Sequence, residues 1–149
     1  MNPEDPNNAP ERAMKTIAAN SCYTLAYNQA LNRIQFSVNG FWKNREAVPA
    51  FLKDWKAVLQ LVKPNFTLLS DLRTMITHPQ EIGGLHVEVQ NLLKEAGLLQ
   101  GACITPHDKI AALQITSIAK QSGMPSRSFT NITEAQAFLD SISASYQQV

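Results

Sequence analysis

With 149 residues, 44% of them hydrophobic, the chain is long enough to bury one core and too short for two. Thirteen Lys and Arg against twelve Asp and Glu leave a net charge of +1, so no global field draws it to nucleic acid or an acidic membrane. Charged residues make up 17% of the chain, and the uncharged polar surface that replaces them repels its own copies weakly.

Residues 1–21 open as MNPEDPNNAPERAMK, rich in Pro, Asn and charge with little to bury, and are expected to form a partly flexible arm ahead of a domain over 22–145. Apolar residues then alternate with others twice: Tyr23, Leu25 and Tyr27, and after the turn NQALN, Ile34, Phe36 and Val38. Period two on both sides of a short turn predicts a β-hairpin. A helix is expected from about Arg45 to Val62, where Val48, Phe51, Leu52, Trp55, Val58, Leu59 and Val62 recur at spacings of three and four. Pro49 falls in its first turn or so, where a missing amide hydrogen matters least.

Phe66 to Leu72 is a short apolar run with too little alternation for a surface strand, which predicts a central strand covered on both faces. Thr77, Pro79 and Gln80 read as the capping box of a helix with Ile82, Leu85, Val89, Leu92, Leu93 and Ala96 inward and Gly97 as its left-handed stop. Leu98–Thr105 is the next expected strand. Thr105 with Asp108 reads as a second capping signal, before a helix ending at Gly123 with Ile110, Leu113, Ile118 and Ala119 inward. Ser126–Thr130 is a last short strand, and Asn131 with Glu134 caps a last helix presenting Ala135, Phe138, Leu139 and Ile142. The order ββαβαβαβα predicts an α/β fold: a single mixed, mainly parallel five-stranded sheet with about four helices and only the first strand antiparallel.

In such a sheet the carboxyl ends of the strands and the helix N-termini share one edge, the usual place for a ligand or partner. This edge is expected to hold Asp71, Arg73, Thr77, His78 and His107. Each has a plainer structural reading beside the functional one. Thr77, Thr105, Asp108 and Asn131 serve as helix caps, and Asp71 with Arg73 forms an ion pair. Gly83 and Gly84 lie inside a helix pattern at about 1 kcal/mol each relative to Ala, so close packing or a partner's approach is expected to need them. Lys53, Lys56 and Lys63 with Trp42 nearby could touch a membrane or an acidic partner, or form a solvated face. His86 is expected at the surface or a boundary.

His78 and His107 fall short of the three protein ligands a zinc site needs, so no metal site is expected, and no cofactor. GxSxG, GxGxxG, HExxH and P-loop patterns do not occur, which leaves an enzyme as the minor reading. Cys22 and Cys103 fall in predicted strands and are expected as reduced thiols of a cytoplasmic protein. No apolar run of membrane-spanning length occurs.

The element order and the segments NRIQFSVNGFW, FTLLSDLR, LLKEAGL and SRSFTNITEAQAFL together resemble the STAS-like group, in particular the small SpoIIAA-like domains related to anti-sigma-factor antagonists and to the CRAL-TRIO fold. The resemblance covers about Tyr23 to Leu139. It implies a non-enzymatic module that binds a protein partner or its own copy, or alternatively a small hydrophobic ligand or lipid held near Trp42 and Phe41. In the antagonists an Asp-Ser-Ser-Gly-Leu motif carries a phosphorylated serine. Here it would fall on Glu81, Ile82, Gly83, Gly84 and Leu85, which offer no hydroxyl, so the resemblance implies a fold kept without that switch unless Thr74 or Thr77 substitutes.

Overall fold

A computed structural model describes residues 14–147. Six strands form one sheet in chain order: β1 (Met14–Ala19), β2 (Tyr23–Asn28), β3 (Arg33–Val38), β4 (Thr67–Asp71), β5 (Gln100–Ile104) and β6 (Ser126–Phe129). β1 and β3 both pair antiparallel with β2, and the β3–β4, β4–β5 and β5–β6 pairs are parallel. The sheet is thus mixed and mainly parallel, with β2 alone running against the rest.

The expected five strands become six because Met14–Ala19, placed by sequence in the arm, adds an edge strand. Its side chains are half-exposed, so it carries little of the hydrophobic alternation that identifies a covered strand. The remainder of the expected arm, residues 1–13, lies outside the described residues.

Four α-helices accompany the sheet: α1 (Phe51–Leu59), α2 (Gln80–Glu95), α3 (Lys109–Ser122) and α4 (Ile132–Gln147). The first three connect parallel neighbours and share one face, as right-handed crossovers between sequential strands require. Beneath them lies the larger core, built from Tyr23, Leu25, Ile34, Phe36, Val38, Leu68 and Leu72 of the sheet region and Trp42, Phe51, Trp55, Ile82, Leu85, Val89 and Leu93 above it. α4 follows the last strand and folds back over the other face, where Ala135 and Leu139 pack on Leu69, Ala102 and Ile104. Arg33 anchors it: the buried guanidinium donates to Thr67 Oγ1 at 2.9 Å and pairs with Asp140 of α4 at 3.0 Å.

The helix expected over Arg45–Val62 is divided. Arg45–Ala47 forms a single 3-10 turn capped by the Asn44 side chain, Pro49 lies in the following turn, and the α-helix runs only from Phe51 to Leu59. Proline cannot donate the hydrogen bond that would continue the first turn into the second. The inward stripe of Val48, Phe51, Trp55 and Val58 survives the break.

Two capping expectations also change. Thr77 does not cap α2, whose first helical residue follows Pro79, and Thr105 does not cap α3. Asp108 itself is the cap of α3, accepting from the amides of Ile110 and Ala111. Ala111, Ile118 and Ser122 share one face of the helix and are buried, while Ile110 and Leu113, expected inside, lie roughly 100° and 160° around the helix from Ala111 and are exposed. Asn131 caps α4 through Glu134 N at 2.9 Å, as expected. Gly97 and Gly123 end α2 and α3 with φ of 97° and 71°, the left-handed region that disfavours a Cβ.

Candidate functional site

The sequence-derived site residues separate into two places and a core. At the carboxyl ends of β3 and β4, Asp71, Arg73, Thr74 and His107 line a shallow depression of about 330 Å³. Arg73 grips Asp71 with both prongs of its guanidinium, at 2.9 Å and 2.7 Å, and its amide adds a 3.2 Å hydrogen bond. The guanidinium beside Asp71 holds its carboxyl below the usual carboxylate range against an opposing effect of burial. This bidentate pair latches the turn, and its carboxylate is already occupied. His107 joins the same turn through its amide, which donates to the Arg73 carbonyl at 3.1 Å.

Next to this depression the β4–α2 loop is tied to the start of α3. Thr77 donates from its amide and its hydroxyl to Asp108 Oδ2, both at 3.0 Å, while Asp108 Oδ1 caps the helix. These donors, the Thr77 amide foremost, hold the Asp108 carboxyl below its ordinary range. The Gln114 side chain extends the tie, accepting from the His78 amide at 3.0 Å and donating to the His78 carbonyl at 2.8 Å.

His78 and His107 therefore do not meet. His78 instead turns inward and stacks on His86 of α2, with ring centroids 5.7 Å apart and an 11° interplanar angle. Trp42 is fully buried and stacks on His78 at 4.9 Å, and its indole N–H donates to the Cys22 carbonyl at 3.0 Å. Tyr23 and Phe51 complete the cluster around Trp42. Trp42 is thus a core residue, and the expected surface or boundary position of His86 is corrected to a buried one. Its place one turn from Ile82 and just short of one from Val89 is the spacing that reveals it.

Both imidazoles are nearly inaccessible, 3% for His78 and 7% for His86. Neither His78 nitrogen nor His86 Nε2 has a hydrogen-bond partner. Burial lowers the pKa of His86 to about 3, with His78 adding to the effect, and burial lowers that of His78 as well. The Gly40 carbonyl favours protonated His78 in part, without closing a hydrogen bond. Both rings are neutral at pH 7.

Beside this pair, a cleft of about 390 Å³ opens between α2 and α3. Gly83 and Gly84 line it from α2, Gln114 and Gln121 from α3, with Met75 and the two histidines at its base. A Cβ built at either glycine would meet no atom within 4 Å, so the expectation that tight packing demands them fails: they face open space. Among the described residues no cluster of three metal-ligating side chains occurs.

The same edge carries exposed apolar side chains. Of the six large hydrophobic residues exposed among those described, Phe41, Ile76, Ile110 and Leu113 belong here, at 54%, 49%, 61% and 71% accessibility. Ile76 N donates to Gly40 O at 3.0 Å, which brings Phe41 beside Ile76, and the Thr77–Asp108 tie brings Ile76 beside the first turn of α3. No helix among the described residues is long and apolar enough to cross a membrane. Comparison with known proteins finds no matching family model, no matching curated protein and no matching solved structure.

Proposed function

We propose that this chain is a non-enzymatic, STAS-like binding module that docks a protein surface at its strand-end edge, a second copy of itself being the partner that its composition favours. The observation that carries the reading is the apolar edge of Phe41, Ile76, Ile110 and Leu113, fixed in place by the Thr77–Asp108 tie. Large exposed apolar side chains gathered on neighbouring segments of one edge favour an interaction surface, and a net charge of +1 sets little repulsion against a like copy.

Other features support the proposal. From β2 onward the structure keeps the ββαβαβαβα order on which the resemblance rests, and Glu81–Leu85 lie in the first turns of α2. Phosphorylation has no foothold there, and the two nearby threonines are committed: Thr74 donates to the Val38 carbonyl and Thr77 to Asp108. A constitutive docking surface without a phospho-serine switch follows. Catalysis is disfavoured because Asp71 is neutralised by Arg73 and both buried imidazoles are shut off from solvent. The unpaired thiols of Cys22 and Cys103 suit a cytoplasmic setting.

An apolar ligand near Trp42 and Phe41 has less support, since Trp42 is packed into the core while Phe41 points to solvent. The narrow space beneath α2, about 50 Å³, has room for water and none for a lipid chain. Amide chemical shifts followed on dilution test the docking proposal: concentration-dependent changes centred on Ile76, Ile110 and Leu113 support it, and spectra independent of concentration contradict it.

A further inference from the structure

We propose that the cleft between α2 and α3 is a binding site for a neutral, planar, amide-bearing ring compound, seated against the bare backbone of Gly83 and Gly84 over the His78–His86 pair. Three independent features point there. The first is the glycine pair itself. Gly in a helix interior is unfavourable, and here nothing in the fold needs the missing Cβ, because a side chain at either position would project into empty space. What the two glycines do provide is a flat stretch of helix surface as one wall of a cleft of about 390 Å³, within the size range of small-molecule sites.

The second feature is the character of the lining. No Lys, Arg, Asp or Glu side chain contributes to it. A net charge brought into this space would lose its hydration with no countercharge to replace it, so the cleft selects a neutral occupant. Gln121 supplies an amide that both donates and accepts, and Met75 and Ile118 supply apolar contact for the faces of a ring. Gln114 is held by the His78 backbone, which fixes the geometry of the wall in advance of binding.

The third feature is the buried polar deficit at the base. Three imidazole nitrogens, both of His78 and Nε2 of His86, lack partners, and buried polar groups are rarely left so. Each neutral imidazole offers one donor and one acceptor, the complement of a carboxamide or a ring amide. The nitrogens are covered in the empty cleft, so pairing requires the two rings to turn toward the ligand as it enters. That movement has a spectroscopic signature in the histidine rings, distinct from simple filling of the cleft.

The site is separate from the docking edge, and its test does not depend on that reading. The full chain, labelled with 15N, is titrated to millimolar concentration with nicotinamide as the neutral planar amide and with benzoate as a charged planar control. The expected result is saturable shifts at the Gly83 and Gly84 amides and at the ring nitrogens of His78 and His86 with nicotinamide, and none with benzoate. Gly84→Leu and, separately, Gly83→Leu should weaken nicotinamide binding by about tenfold or more while a thermal unfolding midpoint at or above that of the parent shows the fold intact. Absence of a saturable response to nicotinamide, an equal response to benzoate, or unchanged binding in both folded leucine variants would each overturn the proposal.

Discussion

The imidazole of His78 lies nearly parallel to that of His86, 5.7 Å away, with Trp42 stacked on His78 and no hydrogen bond closing on three of the four ring nitrogens. A loop residue and a helix residue are thereby joined in the middle of the aromatic core, where both must be uncharged.

Acid should weaken this protein before its carboxylates titrate. The folded pKa of His86 is depressed from 6.5 to about 3, so the unfolded chain binds the extra proton: stability is full above pH 6.5 and falls as the pH drops toward 3. Each unit below 6.5 costs about 1.4 kcal/mol from His86, so roughly 2 kcal/mol is lost by pH 5, with His78 acting in the same direction. Urea unfolding at pH 7.5, 6 and 5 measures it. His86→Phe should flatten the slope between pH 6.5 and 5, and an unchanged slope would dissociate the pair from the effect.

The glycines of the chain divide by conformation. Gly83→Ala and Gly84→Ala should each raise stability by about 0.5–1 kcal/mol, because a methyl group meets open space and helix propensity improves. Gly97→Ala should lower it by about 1 kcal/mol or more, since a φ of 97° strains any side chain. Denaturant midpoints for the three variants separate the two cases by sign.

Asp108 ties two elements with one carboxylate. Asp108→Ala should release Thr77 and fray α3 together, seen as faster hydrogen exchange at the Thr77, Ile110 and Ala111 amides. Thr77→Val removes only the hydroxyl contact, and should leave the Ile110 and Ala111 amides protected. If Asp108→Ala quickened exchange in α3 alone, the tie to the loop would have no independent strength.

Much of this fold was readable because its strongest signals are local. The Tyr23–Asn28 and Arg33–Val38 strands alternate cleanly, and the fully covered Phe66–Leu72 run admits only a central strand. Local signals failed where a long-range partner decided the outcome. Thr77 reads as a cap from its neighbours alone, yet Asp108, 31 residues away, claims its hydroxyl and amide. Ile110 and Leu113 read as inward because they are apolar, yet the face turned to the core is that of Ala111, Ile118 and Ser122, where a small and a polar residue leave little signal. Met14–Ala19 offers no pattern of its own, because an edge strand borrows its order from β2. Of the candidate positions, Asp71, Arg73 and His107 converge as their strand-end positions imply; the spacing of His86 from Ile82 and Val89 marks it as inward, but its pairing with His78, and the Gln114 tie, come only from packing.

Docking through the apolar edge is tested most directly by sedimentation equilibrium of the parent protein and of Leu113→Glu over a wide concentration range. Leu113 is the most exposed large apolar residue of the edge and makes no core contact, so the substitution leaves the fold intact while placing a charge in the proposed interface. Self-association of the parent, weakened by about tenfold or more in the variant, is the predicted result. A parent protein that stays monomeric at every concentration, or a dimer indifferent to Leu113→Glu, would contradict it.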